Sequence, residues 1–186
     1  MISMTYSARA LYGAYRLALF DKSGFSNFDT SVAGFWNSFT AAFLIAPLFF
    51  TVLAGRYFSE QMDVPLSQHM ASEISAYVLS WLLFPVLMEQ LTKPMGCRDK
   101  YIKFIIAYNW AMVPQYTVFI GIVALGLIGI IPPELAGSMS VMMLIWTFFY
   151  AGFIVKSVLE ISIKTASSIV FMDFLLGLTI DRMITG

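Results

Sequence analysis

The chain has 186 residues, of which 59% are hydrophobic and 12% charged, and its eleven basic residues balance eleven acidic ones. A soluble domain carries about twice that share of charge, so the composition excludes an ordinary soluble protein and points to one that spends most of its length in a bilayer. Zero net charge excludes the strong basic field of a nucleic-acid binder, and a single cysteine (Cys97) and a single histidine (His69) exclude an internal disulfide and argue against a metal or haem site.

Residues 1–33 form a polar arm. From Tyr6 to Phe20, Leu11, Tyr15, Ala18 and Leu19 alternate with Ser7, Arg9 and Arg16 in an imperfect helical stripe. The charge at Arg16 argues against a signal peptide, and Tyr12, Tyr15 and Phe20 suit a helix lying in the headgroup layer; a cytoplasmic arm packed on protein is the competing reading. Asp21 to Thr30 reads as a loop, with Asp29, Thr30 or Ser31 available to cap the helix that follows.

Residues 34–184 form one membrane domain of five apolar runs, 34–55, 70–91, 101–131, 139–158 and 165–184. The fold class is therefore all-α and polytopic. The first run contains Pro47 and the second Pro85, with Glu73 and Glu89 near the latter's two ends. The third is the longest, and at 1.5 Å per residue it would reach about 46 Å against a hydrocarbon core of about 30 Å. Pro114 removes its own N–H and crowds the carbonyl of Trp110, which predicts a kink in a long, broken central helix; Pro47 and Pro85 predict kinks in the first two spans. Pro132 and Pro133 end it. Between the fourth and fifth runs, Lys156, Glu160 and Lys164 stand at four-residue spacing and could pair along one helical face.

Nine of the eleven Lys and Arg fall in alternate segments: Arg9, Arg16, Lys22, Lys93, Arg98, Lys100, Lys103, Lys156 and Lys164. Arg56 and Arg182 lie on the other side. Short loops rich in Lys and Arg stay in the cytoplasm, so the expected topology has the N-terminus inside and the C-terminus outside.

The polar arm, the five closely spaced runs and the segment Phe104-Ile105-Ile106-Ala107-Tyr108-Asn109-Trp110-Ala111-Met112-Val113-Pro114 resemble the Yip (Ypt-interacting protein) domain family. The likeness continues through Leu144-Ile145-Trp146 and Tyr150-Ala151-Gly152 to Thr165-Ala166-Ser167-Ser168. It implies a five-helix membrane protein that acts through interaction and without chemistry or cofactor, in the family's eukaryotic members with Rab-class GTPases. The eukaryotic signature Asp-Leu-Tyr-Gly-Pro is not present. Here Leu11-Tyr12-Gly13 stands between Ala10 and Ala14, so GTPase binding is not carried over. The compact loops look bacterial, which makes a bacterial inner membrane the expected location.

One acid stands deep in a span. Asp173 lies about 13 Å past Lys164 along a helix, close to the bilayer centre, where a carboxylate must be neutral, hydrogen-bonded or wetted. Its structural reading is a bond to Asn109, to Gln115 or to the carbonyls freed around Pro114; its functional reading is a small polar site for transport, shared with the same two amides. No nucleophile–base pair, phosphate loop or paired carboxylate accompanies it. The chemistry thus favours a non-enzymatic accessory, scaffold or assembly subunit bound to lipid and to other integral membrane proteins or its own copies, with a small channel or transporter as the alternative. Reporter fusions after Gln90 and after Gly186 are expected to report opposite compartments; the same compartment for both would remove the five-span topology.

Overall fold

The computed structural model describes residues 4–59 and 63–184. Residues 1–3 of the arm, residues 60–62 of the predicted first loop and residues 185–186 lie outside the described part. Among the described residues there are helices and turns but no strands, and five helices are long and apolar enough to cross a membrane. The chain is an all-helical protein of membrane-spanning class.

The amino-terminal helix α1 (Met4–Ala18) ends where Phe20 takes a left-handed backbone, φ 60°. Such a conformation costs a non-glycine residue about 1–2 kcal/mol. It is over-determined here: the Asp21 amide bonds back to the Arg16 carbonyl at 3.0 Å, and the Arg16 guanidinium closes on the Asp21 carboxylate at 2.5 Å and 2.7 Å. Asp21 also accepts from the hydroxyl and amide of Ser23, and these bonds, before the guanidinium, hold its carboxyl below the usual range. A 3-10 turn, Lys22–Asn27, then folds back along α1. The two backbones touch at paired glycines, since a Cβ on Gly24 would stand 2.5 Å from the Gly13 carbonyl oxygen.

α1 is seated on protein along one face. Ala10, Ala14 and Leu17 are fully buried, whereas Tyr12, Tyr15 and Leu19 face outward. The Tyr150 hydroxyl donates to the Ala14 carbonyl at 2.8 Å and the Tyr6 hydroxyl to Gly34 at 3.2 Å.

The first span comes in two pieces, α2 (Val32–Ser38) and α3 (Thr40–Ser59). Of the three capping candidates, Ser31 takes the role and accepts from the Gly34 amide at 3.0 Å. The interruption falls at Phe39, where the Ser38 and Thr40 hydroxyls bond local carbonyls. The other spans are α4 (Leu66–Thr92), α5 (Tyr101–Leu127), α6 (Pro133–Leu159) and α7 (Ile163–Ile184). Pro47, Pro85 and Pro114 lie inside α3, α4 and α5, each of which continues as helix through its proline.

Two expectations are revised. The third span, Arg98–Leu127, is the longest of the five at 30 residues, but α5 within it ends four residues sooner than expected. α5 stops at Leu127 because Gly129 turns left-handed, φ 74°, and the amides of Ile130 and Ile131 fold back onto the Leu125 carbonyl. Pro133 then starts α6 at once, so residues expected in the turn belong to a helix. The Lys156, Glu160 and Lys164 ladder also fails. Glu160 caps α6 with φ 56°, which breaks the helical face, and its carboxylate meets Lys100 at 2.7 Å across 60 residues of sequence. That ammonium, through its hydrogen bond first, lowers the Glu160 carboxyl below the usual range.

α5 is the centre. α1, α2, α3 and α6 pack on it directly, α4 more lightly, and Phe104 to Ala111 are buried without a break. α7 closes the bundle by packing on α4 and α6, and meets α5 sparsely.

The glycine contact at the α1 turn supplies a test. Gly24→Ala is expected to destabilise the protein by about 1–3 kcal/mol through overpacking against backbone that cannot move aside. Gly121→Ala, on α5 with open space around it, is expected to be neutral or slightly stabilising, and thermal unfolding in detergent compares the two.

Candidate functional site: an acid–phenol pair between two cavities

Asp173 lies ten residues into α7, about 15 Å along its axis, near the middle of a core about 30 Å thick. No water supply at that depth can be assumed, so a partner must come from protein. Tyr108 of α5 provides it, donating its hydroxyl to Asp173 Oδ2 at 2.5 Å. The phenol ring is held in turn by Phe84 of α4, stacked at 4.6 Å between centroids, and by Phe104 at 5.3 Å. The bond therefore links α5 and α7, which otherwise touch sparsely.

The predicted amides go elsewhere. Asn109, one residue on, points away from α7 and donates to Ser38 Oγ at 2.9 Å, in a buried pair that holds the end of α2 next to the break at Phe39. Gln115 donates to the Ala111 carbonyl at 3.0 Å within α5, the acceptor one residue past the carbonyl that Pro114 leaves without its usual partner. Gln115 does share a cavity with Asp173, but no bond to the acid comes from either amide.

Two cavities flank the pair. One, of about 280 Å³, lies between α5, α6 and α7 and includes Gln115 and Thr147; the other, of about 290 Å³, lies between α4, α5 and α7 and includes Ser80 and Trp81. Tyr108, Met112, Tyr116, Asp173 and Phe174 belong to both walls. The cavities thus stand side by side at one depth, separated by the α5–α7 contact, rather than one above the other. Both are lined mainly by apolar groups. The arrangement can receive an apolar body with one polar group directed at Asp173 and Tyr108; it does not string polar side chains from one water face to the other.

Tyr108, Met112 and Tyr116 were not singled out by sequence. Their signal was the four-residue spacing that puts them on one face of α5, but a face of tyrosine and methionine in an apolar run reads as ordinary filling. Glu73 and Glu89 lie outside the site. Glu89 is answered near the end of α4 by Lys93 at 2.9 Å and Arg98 at 3.3 Å. Among the described residues, no group of three His, Cys, Asp or Glu is placed to hold a metal ion.

The fold and site thus define an all-helical, membrane-spanning protein with a buried acid–phenol pair. No family model, curated protein or solved structure matches the chain.

A mutant cycle tests the pair. Asp173→Asn keeps an acceptor for Tyr108 and is expected to be tolerated; Asp173→Leu strands the hydroxyl and is expected to cost about 1–3 kcal/mol. Adding Tyr108→Phe to Asp173→Leu is expected to recover much of that loss, because two matched apolar groups leave nothing unpaired. Strict additivity in unfolding assays would show that the bond carries no coupling.

Proposed function

We propose that the protein is a non-enzymatic, Yip-like membrane subunit that binds the apolar segment of another integral membrane protein beside α7. The observation that carries this reading is the Asp173–Tyr108 pair, set in the wall common to two apolar cavities. An intramembrane acid is expensive and marks a site of use by default. Cavities at a single depth with apolar walls suit lateral docking of a helix better than passage of an ion between two compartments. Open space at Gly121 and Gly177 supports the same reading, since small residues let a neighbouring helix approach closely.

In this proposal the N-terminus lies in the cytoplasm of a bacterial cell and the C-terminus beyond the inner membrane, as the distribution of Lys and Arg favours. α1 rests at the headgroup layer, supported by outward-facing Tyr12, Tyr15 and Leu19 above its buried face.

Purified protein in liposomes is expected to pass ions and small solutes no faster than empty vesicles. Purified from native membranes, it is expected to retain a second integral membrane protein at fixed stoichiometry, and Asp173→Leu is expected to release it. Saturable flux abolished by Asp173→Asn would replace this reading with transport.

A further inference from the structure

Away from the acid–phenol pair, a groove runs along the outer surface between α6 and α7 toward the end of the bundle that carries α1. Its floor is Gly152, which has open space where a side chain would stand. Trp146 lies toward its deep end, and Phe153 along its wall is met edge-on by the ring of Phe20 at 5.4 Å. Phe20 is the residue kept in a left-handed backbone by the Arg16–Asp21 pair, so part of the rim is positioned at a conformational cost.

The mouth of the groove is polar. Lys156 is exposed there, three residues before the end of α6, and Ser167 stands four residues past the start of α7. Both therefore sit at a similar depth, about 5–6 Å inside their helix ends. Lys156 has no ion-pair partner among the described residues, since Glu160, the acid nearest it in sequence, is held by Lys100. A second ammonium lies close by: Lys103 sits 5.9 Å over the ring of Phe25, which stacks on Phe153. From Lys156 back to Met142 the groove spans fourteen residues, about 21 Å of helix, which carries it through one leaflet of a core about 30 Å thick.

We propose that this groove binds an anionic phospholipid of the adjoining leaflet, with one acyl chain laid over Gly152 and its phosphate at Lys156 and Ser167. Three features select that occupant. The apolar length reaches through one leaflet, Lys156 stands within a turn of the end of its spanning helix, and basic pockets between spanning helices are suited to acidic headgroups. The groove shares Phe148 with one cavity beside Asp173 but neither Asp173 nor Tyr108, so the test at Lys156 reads this proposal separately from the docking beside α7.

Trp146 reports on the groove directly. The full-length protein is placed in phosphatidylcholine vesicles containing brominated phosphatidylglycerol or, at equal mole fraction, brominated phosphatidylcholine, and the quenching due to Trp146 is taken as the difference from Trp146→Phe. The anionic quencher is expected to be about fivefold more effective, the gain of one lysine at an acidic surface. Lys156→Gln is expected to bring the two lipids to equality, and Gly152→Leu to reduce quenching by both. Equal quenching by the two lipids in the wild type would overturn the proposal, as would a preference that survives Lys156→Gln. An absence of Trp146 quenching by either lipid would also overturn it and would give the groove to a protein segment.

Discussion

The structure depends on the burial of Phe104 to Ala111 in α5, eight successive residues with almost no exposed surface. A helix buried on every side needs neighbours on every side, and α1, α2, α3 and α6 supply them. Within that stretch each polar side chain must be answered by protein, because neither lipid nor bulk water can reach it. Tyr108 is answered by Asp173 and Asn109 by Ser38. Trp110 is the exception: its indole N–H is buried without a hydrogen-bond partner among the described residues, and the ring of Tyr6 stands edge-on to it at 6.0 Å.

These bonds work as addresses more than as sources of stability. Hydrogen bonds inside membrane proteins contribute about 0.6 kcal/mol on average, because the dissociated helices also find partners. The penalty for a wrong pairing is larger, since a stranded buried group costs about 1–3 kcal/mol. Asn109 therefore selects the end of α2 as the neighbour on one side of α5, and Tyr108 selects α7 on another. Packing between α5 and α6 is extensive and reaches Gly126 against Ala136. Packing between α5 and α7 is sparse, with cavities on both flanks of a single polar contact. The sparse α5–α7 seam thus carries the buried acid, which is where a second helix would find both space and a polar anchor.

The amino-terminal arm belongs to the bundle by the same logic. Gly13 and Gly24 allow two backbones to touch, Tyr150 takes the Ala14 carbonyl, and Arg16 and Asp21 lock the turn at Phe20. The arm in turn builds one rim of the α6–α7 groove. A helix whose sequence reads as an amphipathic stripe, with small residues on one side and aromatics on the other, ends as a wall of the membrane domain.

Composition alone determined the class, and the five apolar runs determined the number of membrane-length helices, because only a long run of apolar residues is tolerated in hydrocarbon and little else needs one. The cap at Ser31 was legible as one of three neighbouring candidates, being local chemistry, whereas Pro133 read as the end of the third run and is the start of α6. Asp173 could be read as needing a protein partner from its depth in the run. That the partner is Tyr108, while Asn109 turns to Ser38 and Gln115 bonds within α5, was decided only by tertiary structure. So was the true end of α5, set by the left-handed turn at Gly129. The reason is physical. In a soluble helix the polar face announces which side is buried, but a spanning helix is apolar toward both lipid and protein, so its pattern carries almost no record of which neighbour each face will meet.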